Sequence, residues 1–179
     1  GLELKHRFRP DTNLEARRVF LDVLGRRPAF ARAHVALSWT WLFEVWWWWG
    51  WTGTPEASLA EAWSAADKGV ELDDLDAEVH WLLGELNMMQ RRYDRTEAEY
   101  RRAMQLNPSL ADVRANWGST ANRLGTADEG VASLELAMRL NPNSPVWYGW
   151  FYGAALYGAG RFEEAAAVLH AAMAHTVVS

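Results

Sequence analysis

The stretch AEVHWLLGELNMMQRRYDRTEAEYRRAMQLNP, residues 77–108, decides how this chain folds. Leu83-Gly84 falls in a first helical half, Tyr93 in the turn, Tyr100 and Ala103 in a second half, and Leu106-Asn107-Pro108 closes the unit. The marks return as Trp117-Gly118, Leu134, Ala137 and Leu140-Asn141-Pro142 in residues 111–142, and as Tyr152-Gly153, Leu169 and Ala172 in residues 146–175. Gly84, Gly118 and Gly153 stand 34 and 35 residues apart, as do Ala103, Ala137 and Ala172. Small residues let two helices approach closely, and bulky residues three and four positions away fill the groove between them. Such a hairpin leaves one apolar face bare, so the units are stable only when stacked. Asn-Pro ends the second helix because proline disfavours helical geometry in the residue before it. Gly125 and Gly160 supply the turn inside the hairpin.

A repeat of this length carrying these residues resembles the tetratricopeptide repeat (TPR) family, and the resemblance covers most of the chain. It implies an all-α fold, a right-handed superhelical solenoid of helix-turn-helix hairpins over residues 1–179. Residues 11–28 read as a partial leading repeat with Ala16, Phe20 and Pro28 in register, and residues 77–108, 111–142 and 146–175 as full repeats. Residues 31–74 form a repeat with a tryptophan-rich insertion at about 43–57, between a first helix over Ala31–Trp41 and a second over Ser58–Leu72. A solenoid normally ends in a polar capping helix. The final AMAHTVVS offers none, so the expectation is a fragment, or a module whose ends something else covers.

Seven of the twelve tryptophans lie between Trp39 and Trp51, four of them consecutive from Trp46 to Trp49. Consecutive side chains point to all sides of a helix and to both faces of a strand, so one surface cannot take them all. Each Trp can bury about 150–250 Å², and a bare cluster would exceed the few hundred Å² a monomer tolerates. The segment therefore either plugs an end or inner curve of the superhelix, or forms an interface with a partner or a second copy through Trp46, Trp47, Trp48, Trp49 and Trp51. A membrane-interface anchor would want accompanying Lys or Arg, which are missing here. Sugar stacking is the remaining use of such rings.

Net charge is −5, with acidic residues spread along the helices and no basic stripe, which argues against a nucleic-acid partner. There is no cysteine, so neither a disulfide framework nor a thiolate metal site is available, and the composition fits a cytoplasmic setting. GLELKHRFRP lacks the apolar core of a signal peptide, and no apolar run approaches the roughly 20 residues that span a bilayer. His6, His34, His80, His170 and His175 fall on different hairpins or five positions apart, with no metal-ligand spacing. Asp73-Asp74-Asp76 and Glu163-Glu164 read as helix-start charges. With no nucleophile elbow, phosphate loop or dinucleotide fingerprint either, the chain is read as a non-enzyme without cofactor or metal.

In TPR proteins the first helix of each hairpin lines a concave, peptide-binding face. Carried over by register, the resemblance places Val35, Trp39, Leu42, Trp81, Glu85 and Met88 there, followed by Ala115, Asn116, Ser119, Asn122, Trp147, Trp150 and Ala154. The Lys and Asn set that some family members use to clamp a C-terminal carboxylate is matched only at Asn116; Val35 and Trp39 stand at the other positions. A protein or peptide segment with apolar anchors is the partner this groove would take. DTNLEARRVFLDVLGRRPAFARAHVALSWTW, the tryptophan-rich insertion, YRRAMQLNPSLADV and RLNPNSPVWYGWFYGAALYGAGRFEEA further resemble the repeat region of bacterial class III adenylate/guanylate cyclases and related regulators. That implies a regulatory or oligomerisation module of a signalling protein. The alternative is a small-ligand or carbohydrate sensor that uses the tryptophan-rich pocket.

Overall fold

The computed structural model describes residues 10–47 and 53–176, with nine helices and no strand among them. They are α1 (Pro10–Arg26), α2 (Ala31–Trp46), α3 (Pro55–Leu72), α4 (Ala77–Met89), α5 (Tyr93–Leu106), α6 (Ala111–Arg123), α7 (Ala127–Leu140), α8 (Val146–Gly158) and α9 (Phe162–Thr176). The chain packs as two compact units, one running to Glu99 and the other beginning at Tyr100.

Three hairpin turns repeat one hydrogen-bond pattern. After α4, the Arg91 amide donates to the Met88 carbonyl and the Arg92 amide to the Asn87 carbonyl. Gly125 with Thr126, and Gly160 with Arg161, make the same two bonds after α6 and α8. This is the Schellman closure, which needs a left-handed residue just past the helix. Gly125 and Gly160 supply it at φ 84° and 76°, and Arg91 occupies the same place at φ 57°.

The connectors between hairpins are held differently. His34 Nε2 meets the Pro28 carbonyl at 2.8 Å, His80 Nε2 meets the Asp74 carbonyl at 2.8 Å, and Arg114 Nε donates to the Pro108 carbonyl at 3.1 Å. Each side chain stands six positions beyond the carbonyl it holds. Asp76 caps α4 by accepting from the Glu78 amide, and Asp73 and Asn107 accept from amides two residues on.

In the first unit α2 packs against α1, α3 and α4. Its core joins Val35, Trp39, Leu42 and Phe43 to Ala62, Ala66, Val79, Leu82 and Leu86, with a second cluster of Ala16, Phe20, Ala36, Leu37 and Ala65. α2 runs to Trp46 instead of ending near Trp41, and α3 begins at Pro55 instead of Ser58. The earlier start of α3 has a local cause: Thr54 accepts from the Ala57 amide as N-cap, and Pro55 fits the first helical position. Part of the insertion is thus spent on added helix.

In the second unit α6 packs on α7 and α8, α7 also on α8, and α8 on α9, around Ala115, Val131, Leu134, Ala137, Tyr148, Ala155, Leu156 and Ala165. α6 and α7 approach closely where Gly118 faces Gly130. A Cβ on Gly130 would lie 2.6 Å from the Gly118 carbonyl oxygen, and one on Gly118 would lie 2.8 Å from the Gly130 oxygen and 2.5 Å from Leu134 Cγ. At Gly153 the three atoms nearest an added Cβ all belong to the side chain of Leu169.

Candidate recognition surfaces

Val35, Trp39 and Leu42, placed on the groove by register, are core residues at 2%, 2% and 0% exposure. Val35 and Leu42 belong to the core shared with α3 and α4, and Trp39 is covered in part by the lengthened α2. Trp46, on the added turn, stands edge-on to Trp39 at 6.1 Å, and Trp81 from α4 covers Trp39 at 4.8 Å. Trp81 and Met88 remain half-buried, and Glu85 is buried, its carboxylate accepting from Trp81 Nε1 at 3.1 Å. In the insertion, Trp46 is half-buried with Nε1 donating to Met89 Sδ, and Trp47 is 53% exposed. Trp48, Trp49 and Trp51 lie outside the described residues.

Inside the first unit lies a polar group the sequence does not single out. Arg17 on α1 donates to Glu44 on α2 at 2.6 Å and to the Thr40 carbonyl at 3.0 Å, and its guanidinium stacks 3.5 Å from the Trp41 ring centre. Both side chains of the ion pair are 5% exposed. Burial lowers the Arg17 pKa while hydrogen bonding and charge attraction from Glu44 oppose that. Ser58 of α3 reaches Glu44 from the other side. The pair therefore pins the extended end of α2 between α1 and α3. No spacing rule joins residues 27 apart on separate helices, which is why pattern reading missed it.

The second unit presents a different face. Asn116, Ser119 and Asn122 follow one another at three-residue steps along α6 and are half-buried. Trp147, Trp150 and Ala154 share a face of α8 by the same geometry. Asn122 Nδ2 donates to the Ala154 carbonyl at 3.1 Å, which sets these two faces edge to edge. Trp147 is half-buried and packs edge-on against Tyr148 and Phe151, whereas Trp150 is 41% exposed. α8 carries no charged residue at all. Behind it Tyr148 donates its hydroxyl to Asp112 at 2.5 Å, and burial together with that bond pushes its pKa well above the ordinary phenol value.

His80 is accounted for structurally: Nδ1 contacts Glu99 and Nε2 the Asp74 carbonyl. Among the described residues no three His, Asp or Glu side chains form a group that could hold a metal ion, and no helix is long and apolar enough to cross a membrane. His6 lies outside the described residues, as does the side chain of His175.

No family model matches this chain, and no curated protein does. Solved structures do. The TPR protein TTC0263 of Thermus thermophilus superposes with a TM-score of 0.67 at 18% identity over 82% of this chain and 77% of its own. MamA gives 0.63 at 22% identity over 91% and 88%. YrrB, a TPR protein with an unusual peptide-binding site, gives 0.59 at 15% identity over 91% and 77%. These likenesses establish the fold class as the all-α hairpin fold of TPR proteins.

Proposed function

We propose that this chain is a protein-interaction scaffold that binds a segment of a partner protein, and that it catalyses no reaction. The observation that carries the reading is Trp150: a large ring, 41% exposed, on an uncharged helix whose Ala154 carbonyl accepts from the Asn122 amide of α6. Such an arrangement suits an apolar anchor with polar groups at its margin. YrrB, similar in fold, has a peptide-binding site, which supports the class of function without naming this chain's partner. Trp81 and Met88 in the first unit offer a second apolar contact, and Trp47 a point of self-association. The finer reading, a cytoplasmic regulatory or oligomerisation module of a bacterial signalling protein of the class III cyclase kind, rests on the sequence phrases alone.

The test is selection of peptides from a displayed library on the whole chain, followed by affinity measurements on Trp150→Ala. Loss of a central Trp contact should weaken the selected peptides at least about ten-fold, with the far-ultraviolet circular dichroism unchanged. Peptides that bind parent and Trp150→Ala equally, and also ignore Asn116→Ala, would remove this surface from consideration.

A further inference from the structure

The turn between α4 and α5 carries chemistry that the aromatic surface does not use. Arg91, Arg92, Tyr93, Asp94 and Arg95 line an open cavity of about 350 Å³. The three guanidiniums are exposed and make no ion pair or side-chain hydrogen bond among the described residues. Five arginines elsewhere are paired with a carboxylate: Arg17 with Glu44, Arg26 with Asp22, Arg32 with Asp76, Arg101 with Glu129 and Arg161 with Glu164. Their grouping, three unpaired cations around one turn in a chain of net charge −5, is the local exception.

Arg91 sharpens the exception. At φ 57° it holds the left-handed position that Gly125 and Gly160 fill in the sister hairpins with identical hydrogen bonding. A side chain there costs about 1–2 kcal/mol relative to glycine. The backbone does not need the arginine; the cavity gains a third cation from it.

We propose that this cavity binds a short acidic segment of a partner protein, two or three Asp or Glu side chains close in sequence. Guanidinium forks pair carboxylates in a planar, two-bond geometry that ammonium groups cannot reproduce, and Tyr93, 36% exposed, adds a ring wall and a hydroxyl donor. Nucleic acid is the poorer occupant: beyond about 8 Å, the screening distance at physiological salt, a long polyanion meets a surface with more acidic than basic groups. A short acidic segment meets only the local cluster. Asp94 is the one carboxylate on the cavity wall and opposes the ligand.

The experiment measures fluorescence anisotropy of a labelled Glu-rich peptide, and of its Gln counterpart, against the whole chain. The Glu peptide should bind and weaken with added salt, while the Gln peptide should not bind. Arg92→Gln/Arg95→Gln should lower the affinity about ten-fold, and Asp94→Asn should raise it. Arg91→Gly should weaken binding yet raise the denaturation midpoint, which separates loss of a ligand contact from loss of fold. Arg18→Gln, an exposed arginine on α1, should change nothing, and Trp150→Ala should leave the Glu peptide unaffected. Equal binding of the Glu and Gln peptides, or indifference to Arg92→Gln/Arg95→Gln, would overturn the proposal. So would a phosphopeptide, or single-stranded DNA, that outcompetes the Glu peptide through the same arginines.

Discussion

Replacing Gly130 by alanine asks whether the close approach of α6 and α7 is what sets the second unit's packing. In an open helix the change would stabilise, since alanine is favoured over glycine by about 1 kcal/mol in a helix interior. Here the new methyl would sit 2.6 Å from the Gly118 carbonyl oxygen and 3.4 Å from the Asn122 nitrogen. Both are backbone atoms and cannot rotate away. The helices must part by several tenths of an ångström, loosening Leu134 against Gly118 as they do. Overpacking of this kind costs about 1–3 kcal/mol; set against the alanine preference of about 1 kcal/mol, the expected net loss is about 1 kcal/mol and at most about 2 kcal/mol. Urea unfolding followed by circular dichroism and tryptophan fluorescence measures it. Gly25→Ala, near the end of α1 with nothing within 4 Å of the added atom, is the matched control and should gain up to about 0.5 kcal/mol. Gly153→Ala should fall between, because the nearest atoms in the way belong to the movable Leu169 side chain. A Gly130→Ala protein as stable as the parent, or more so, would refute the reasoning.

Two further outcomes follow from buried polar groups. Arg17→Met should cost about 3–5 kcal/mol by leaving the buried Glu44 without its cation, while Arg17→Met/Glu44→Leu should recover most of that loss; thermal melts of the two variants and the parent decide it. Tyr148, its pKa raised by burial and the Asp112 bond, keeps its proton in the fold after the unfolded phenol has lost its own. Its contribution is complete below the ordinary phenol pKa of about 10 and is lost as pH rises above that value. Tyr148→Phe should therefore show a shallower alkaline loss of stability in melts taken across that range.

The hairpins were legible because their marks obey sterics at fixed offsets. Gly84, Gly118 and Gly153 announce close helix approach, and Asn-Pro announces a stop, whatever else the repeat contains. The extension of α2 was less so: LFEVWWWW has no breaker, and the helix continues into it as far as Trp46. The start of α3 was written in Thr54-Pro55, a cap and a first-turn proline whose meaning the surrounding tryptophans obscured. Register placed Trp39 on the right helix but not in the right environment, since Trp46 from the added turn of the same helix and Trp81 from α4 both pack against it. Nothing in the local sequence distinguishes Arg17 from Arg18, yet one is buried against Glu44 and the other exposed. Arg91 was readable only by aligning it with Gly125 and Gly160.

The side chains that grip the connectors belong to the helices beyond them. His34, His80 and Arg114 reach back to Pro28, Asp74 and Pro108, so the connectors Arg-Pro-Ala-Phe, Asp-Asp-Leu-Asp and Asn-Pro-Ser-Leu can differ almost completely in wording while keeping one shape. A module and its fastening are inherited together. Hairpins of this chain should be exchangeable or duplicable by cutting just before Pro28, Asp74 or Pro108, with each transplanted piece bringing its own latch.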